Sequence, residues 1–227
     1  MAAVRVRQHV NPFNRKYQTT IATPDWSTVF ANPQRPLHVD IGCAKGYFIM
    51  AMAALQPDWN FLGLEIREPL VDQALQQKKE AGLTNLHFLF GNANTSLAEL
   101  LASLPADTLQ QVSIQFPDPW FKKRHQKRRV VQPELVQCLA EFLPMGGQVV
   151  LQSDVEAVAL EMCDRFAENQ GFQRTQTEWL ADSPLPAQTD REQLTLAKGL
   201  PVYRAIFLKK EAIANQDEMV IDGLPRE

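Results

Sequence analysis

The chain has 227 residues, 45% of them hydrophobic and 22% charged, with a formal net charge of −3. That length builds one large domain or two small ones, and that balance is ordinary for a soluble globular protein. No apolar run approaches the roughly 20 residues that cross a bilayer, and "MAAVRVRQHVNPFNRKY" lacks the apolar core of a secretory signal, so a cytoplasmic protein is expected. In chain order, residues 1–35 read as a basic N-terminal arm, with Arg5, Arg7, Arg15 and Lys16 and no acid in its first 17 residues. "LHVDI" (37–41) is a short apolar strand ending at an acid and a glycine, and "GYFIMAMAALQPD" follows with helical spacing up to Pro57. "NFLGLEI" (60–66) is a second strand. "EPLVDQALQQKKEAG" is a helix with Pro69 in its first turn and Gly82 past its end. "NLHFLFGNA" (85–93) and "LQQVSIQF" (109–116) are the third and fourth strands. "PELVQCLAEFLP" is helical, "GGQVVLQSD" (146–154) is a fifth strand, and "VEAVALEMCDRFAENQGF" is a helix closed by Gly171. "PVYRAIFLKK" (201–210) is a last strand. Residues 211–227 form an acidic tail with five acids and one arginine, which leaves residues 1–210 near neutral.

Strands alternating with helices predict an α/β fold, a mostly parallel sheet with helices on both faces, and a single domain over 36–210. Ligands of such sheets bind outside the carboxyl ends of the strands. Those ends carry Asp40 to Gly42, Glu65, Asn92, Asp118 and Asp154. After the fourth strand comes "FPDPWFKKRHQKRR" (116–129). Two prolines hold the backbone on either side of Asp118. Six cations follow within eleven residues: Lys122, Lys123, Arg124, Lys127, Arg128 and Arg129. On a near-neutral body this is a localised surface for a polyanion, and Trp120 is a candidate to stack on a base. Asp154 is also in position to cap the helix after it.

Three cysteines (Cys43, Cys138, Cys163) without a CxxC argue against a disulfide scaffold, and four scattered histidines give no zinc spacing, so no metal is expected. Cys43 reads as a small loop filler, Cys138 and Cys163 as core, His125 as a surface residue, and Trp26, Trp59 and Trp179 as packing residues.

"DIGCAKG" (40–46) does not fit the dinucleotide spacing, because Ala44 and Tyr47 stand where it needs glycines. It resembles the first motif of class I S-adenosylmethionine-dependent methyltransferases. With "FPDPWFKKRHQKRRVV", "VDIGCAKG", "GLEIR", "GNA", "LQSD", "TDRE" and "KGLPVYRAIF", the chain resembles the bacterial tRNA (guanine-N7-)-methyltransferase family over nearly the whole body. The resemblance implies a Rossmann-like class I methyltransferase fold with a seven-stranded sheet. It also implies methyl transfer from S-adenosylmethionine to nitrogen 7 of the variable-loop guanine of tRNA, position 46 in tRNA numbering. By it, Asp40, Gly42, Gly46, Glu65, Asn92 and Asp118 line the cofactor, with Asp118 at the reaction centre. Lys122, Asp154, Thr189, Asp190, Arg191 and Glu192 hold the target nucleoside, with Asp154 and Glu192 as acceptors for guanine N–H groups. Ala44 departs from the commoner glycine, Asp40 from glutamate and Asn92 from aspartate. Three readings compete with it: a methyltransferase for a small molecule or protein, which has no need of the basic run; a non-catalytic RNA-binding module, which has no need of the carboxylates; and a nicotinamide dehydrogenase, disfavoured by Ala44 and Tyr47. Oligomeric state, monomer or homodimer, is not written in the sequence.

Overall fold

Strands covered on both faces read as near-continuous apolar runs, and this is the character of "LHVDI", "NFLGLE" and "QVVLQS". The computed structural model describes residues 10–211. Arg5, Arg7 and the acidic tail beyond Glu211 lie outside the described residues. Among those described, β1 (Leu37–Ile41), β2 (Asn60–Glu65), β3 (Leu86–Phe90), β4 (Leu109–Gln115), β5 (Gln148–Ser153), β6 (Phe172–Arg174) and β7 (Tyr203–Lys209) form one sheet in the order β3-β2-β1-β4-β5-β7-β6. β1 pairs in parallel with both β2 and β4, so the chain reverses its direction of winding there. A crevice opens at such a switch point. β7 runs antiparallel to β5 and to β6. The seven-stranded, mostly parallel sheet matches the expected fold class.

Helices α2 (Tyr47–Leu55) and α3 (Glu68–Glu80) follow β1 and β2. One apolar cluster joins Phe48, Ile49, Met52, Val71, Ala74 and Phe88. A second, larger cluster contains Leu97 of α4 (Ala93–Ala102), Leu135 of α5 (Pro133–Phe142) and Phe166 of α6 (Glu156–Ala167). Trp26 and Phe30 belong to it too, stacked at 5.8 Å, and the Trp26 indole N–H donates to Ser103 Oγ at 3.0 Å. The end of the basic arm, with α1 (Trp26–Val29), is thus built into the body. Burying two such aromatics contributes about 1.5–3 kcal/mol each.

Several elements had no clear trace in the sequence, α1 among them. β6 has three residues at a sheet edge, directly after the turn at Gly171. α4 begins at Ala93, two residues past β3, because the Asn92 side chain caps it by accepting from Asn94 N–H at 3.1 Å. α7 (Asp190–Ala197) is capped by Thr189. No helix among the described residues is long and apolar enough to cross a membrane.

Candidate active site

The turn from β1 to α2 alternates left-handed residues: Gly42 at φ 87°, Ala44 at 49° and Gly46 at 75°. This is the physical content of the glycine spacing, and it explains why glycine is the easier residue where Ala44 stands. A Cβ on Gly46 would sit 2.5 Å from the Phe88 ring. The loop closes onto Glu65 at the end of β2, whose Oε2 accepts the Ala44 N–H at 2.9 Å. Glu65 is buried. Its Oε1 also accepts the Arg67 backbone N–H (2.9 Å) and Nε (2.8 Å), and its Oε2 accepts Arg67 Nη2 (3.0 Å). Four donors fill the roughly four acceptor positions of a carboxylate.

Asp40 lies buried below the turn. Its Oδ1 accepts the Ser113 hydroxyl at 2.6 Å and the Gln115 amide at 3.3 Å. Burial pushes its pKa up to about 6; the two hydrogen bonds oppose this, and the Glu65 charge adds to it. His38, one strand position earlier on the same face, is fully buried, and burial pulls it down to about 3. It is therefore neutral at physiological pH. Its Nε2 lies 2.8 Å from Ser113 Oγ. Since that hydroxyl gives its proton to Asp40, the His38 Nε2–H donates to Ser113.

At the end of β4 the chain takes left-handed conformations at two aromatic residues, Phe116 (φ 48°) and Trp120 (φ 40°). For bulky residues such angles cost about 1–3 kcal/mol each and gather at functional sites. They bracket Pro117, Asp118 and Pro119. Asp118, Gly42, Glu65, Arg67, Asn92 and Trp120 are among the residues that line one cavity at the switch point. Its interior volume is about 130 Å³, and it opens to solvent at its mouth. Val10 and Pro12 of the arm close part of its rim.

The basic segment beyond the cavity is not uniform. Lys122, Lys123, Arg124 and Lys127 are exposed, around a 3-10 helix over Lys123–Arg128. Arg128 lies over the Trp120 ring at 4.9 Å, and His125 meets that ring edge-on at 5.7 Å. One face of Trp120 is thus already covered, whereas Phe121 beside it is 74% exposed. Arg129 is buried: its Nε donates to the Pro119 carbonyl at 2.8 Å and its guanidinium pairs with Glu161. It ties down the Asp118 loop, so grouping it with the cations of the binding surface is corrected.

A second cluster lies one strand further on. Asp154 does not cap α6; Ser153 Oγ accepts the Val155 N–H instead, at 3.0 Å, and Asp154 Oδ2 accepts Arg191 Nε at 2.8 Å. Thr189 Oγ1 accepts the Glu192 N–H at 3.0 Å. Asp190 and Arg191 are exposed. Glu192 is fully buried, its Oε1 held by Arg204 (Nη2 2.7 Å, Nε 3.2 Å) and its Oε2 by Gln152 Nε2 at 3.1 Å. In this geometry it supports the segment from below and presents no surface to a ligand. The residues that sequence reasoning missed are Arg67, Ser113, Gln115 and Gln152. For the last three the available signal was a polar residue near the carboxyl end of its strand. No group of three or more candidate metal ligands occurs among the described residues.

Residues 34–205 match a family model described as "Putative methyltransferase". The chain is 61% identical over 212 residues to the tRNA (guanine-N(7)-)-methyltransferase of Synechococcus elongatus, covering 93% of this chain and 100% of that one. It is 57% identical over 208 residues to the protein of the same name from a Synechocystis species, covering 91% and 98%. Among solved structures, the 16S rRNA methyltransferase KamB superposes with a TM-score of 0.57 at 16% identity, over 83% of this chain and 95% of that one, a likeness of fold. With this similarity over its whole body, the chain belongs to the tRNA (guanine-N(7)-)-methyltransferase family.

Proposed function

We propose that this protein transfers the methyl group of S-adenosylmethionine to nitrogen 7 of the variable-loop guanine of tRNA. The observation that carries the reading is the convergence of Glu65, Asn92 and Asp118 on one cavity that Arg128 of the basic segment also lines. The names of the relatives supply the base and the atom.

The donor set of the cavity fits the cofactor. Glu65 would take the ribose hydroxyls once the Arg67 side chain gives up its two bonds. Asn92 lies where the adenine edge would reach. Asp40 and the turn at Gly42 and Gly46 would hold the methionine end. When bound, S-adenosylmethionine supplies an electrophilic methyl on a sulfonium. Nitrogen 7 of guanine has a free lone pair and no proton to lose, so the site has no need of a general base. What the protein must do is align the two reactants and tolerate the positive charge that moves onto the guanine ring. The Asp118 carboxylate, aimed by its strained loop, suits the second task. Lys122 and the neighbouring exposed cations would hold phosphates. Asp154, Thr189, Asp190 and Arg191 would meet the extruded nucleoside, with Glu192 positioning them from beneath.

The test is methyl transfer from labelled S-adenosylmethionine to unmodified tRNA, beside a tRNA whose variable-loop guanine is replaced by adenine. Label only in the first is the expected outcome. Label in both would overturn the site of methylation, and label in neither, with cofactor bound, would favour a small-molecule or protein substrate.

A further inference from the structure

Four adjacent strands, β1, β4, β5 and β7, carry polar side chains near their ends at the site. Asp40 is the register partner of Ser113, Gln115 of Gln152, and Gln152 of Arg204. Their side chains bond into one line. Gln152 Nε2 donates to Gln115 Oε1 at 2.7 Å and to Glu192 Oε2 at 3.1 Å. Gln115 Nε2 donates to Asp40 Oδ1 at 3.3 Å. Arg204 closes the far end on Glu192 Oε1. No member is more than 9% exposed. One end of the line is the carboxylate under the cofactor turn; the other carries the capped start of α7, through Thr189 and the Glu192 N–H.

The direction of donation is fixed by chemistry. Both ends are carboxylates, which only accept, so the amide between them must donate both ways. A glutamine at 152 does this with its two N–H bonds. Its Oε1 is buried and finds no partner among the described residues. An apolar side chain would fill this interior without that cost, so stability alone does not account for the amide. A hydrogen-bonded line of this kind, with low-dielectric surroundings, makes the placement of one end depend on the other.

We infer that Gln115 and Gln152 are positioning residues that couple the cofactor turn to the α7 segment, so that cofactor and tRNA each strengthen binding of the other. The inference rests on the proposed function for the identity of the two ligands. By linkage the effect is reciprocal: the factor by which tRNA tightens cofactor binding equals the factor by which cofactor tightens tRNA binding. Gln152 lies outside the lining of the cavity, whereas Gln115 is part of it, so Gln152 is the residue that separates coupling from direct contact.

The experiment is calorimetric titration of the full chain with S-adenosylhomocysteine, alone and with saturating unmodified tRNA. In the natural protein, tRNA should tighten the titration at least about fivefold. In Gln152→Met, which keeps side-chain length without the amide, that factor should fall below about twofold, while each ligand alone binds within about threefold of normal. A merely structural role would lower the melting temperature and leave the factor intact, and that result would overturn the inference. Independent binding of the two ligands to the natural protein would overturn it equally. Should Gln152→Met not fold, Gln152→Leu, which also lacks the amide, decides the matter alone. If the natural protein takes up no S-adenosylhomocysteine, the reading of the site fails with it, which is a different result from retained coupling.

Discussion

The two sides of the cavity handle charge in opposite ways. On the cofactor side, Asp40 and Glu65 are buried and matched to protein donors. On the other side, Lys122, Lys123, Arg124 and Lys127 stand in solvent, and none pairs with a carboxylate among the described residues. The first arrangement fixes geometry before a ligand arrives, as electrostatic preorganisation requires. The second leaves cations at the surface, Lys127 over the Phe13 ring at 5.5 Å, where phosphates can reach them, and makes affinity depend on salt. Asp118 stands between the two, on a loop held by a strained backbone at one face and by buried Arg129 at the other.

The largest expected effect tests that boundary. Asp118→Ala should lower kcat about 10²–10³-fold with the fold intact, read by methyl transfer and circular dichroism. Turnover near normal would remove Asp118 from the charge-stabilising role. Arg129→Ala should separate the buried cation from the exposed ones. The guanidinium is buried while its partner Glu161 is 28% exposed, so the variant's denaturant midpoint should fall while the salt slope of tRNA binding stays unchanged. A changed slope with normal stability would return Arg129 to the binding surface.

Asp40→Asn probes the cofactor side through pH. The folded-state pKa of Asp40, about 6, lies above its ordinary value of 3.8. The folded protein therefore holds this proton more tightly than the unfolded chain does. The resulting cost to stability is absent below pH 4, grows as pH rises toward 6, and is complete above it. The variant should be more stable than the natural protein at pH 7–8 by about 1–3 kcal/mol, with the advantage vanishing near pH 4. An advantage independent of pH would mean the carboxylate is not the cause. The smallest effect is at the surface. Lys122→Ala should reduce the slope of log K against log salt by about 0.7–0.9, one phosphate contact, with stability unchanged. An unaltered slope would make this lysine a solvated bystander.

The alternation of apolar strands and helices, the acid or amide at each strand end, and the proline-bracketed aspartate beside a basic run were all legible in the sequence. They follow from periodicity and from the local conformations that glycine and proline allow, which act over a few residues. Burial and pairing across strands act between residues far apart in the chain, and only the tertiary structure decided them. It turned Glu192 from an expected reader of guanine into a buried support, because Arg204 and Gln152 reach it from two other strands. It likewise withdrew Arg129 from the cationic surface. It paired Asp154 with Arg191 and left α6 without a side-chain cap. And it joined Asp40, Gln115, Gln152 and Glu192, residues spread over more than half the chain, into one line, since hydrogen bonding depends on the register of neighbouring strands and not on distance in sequence.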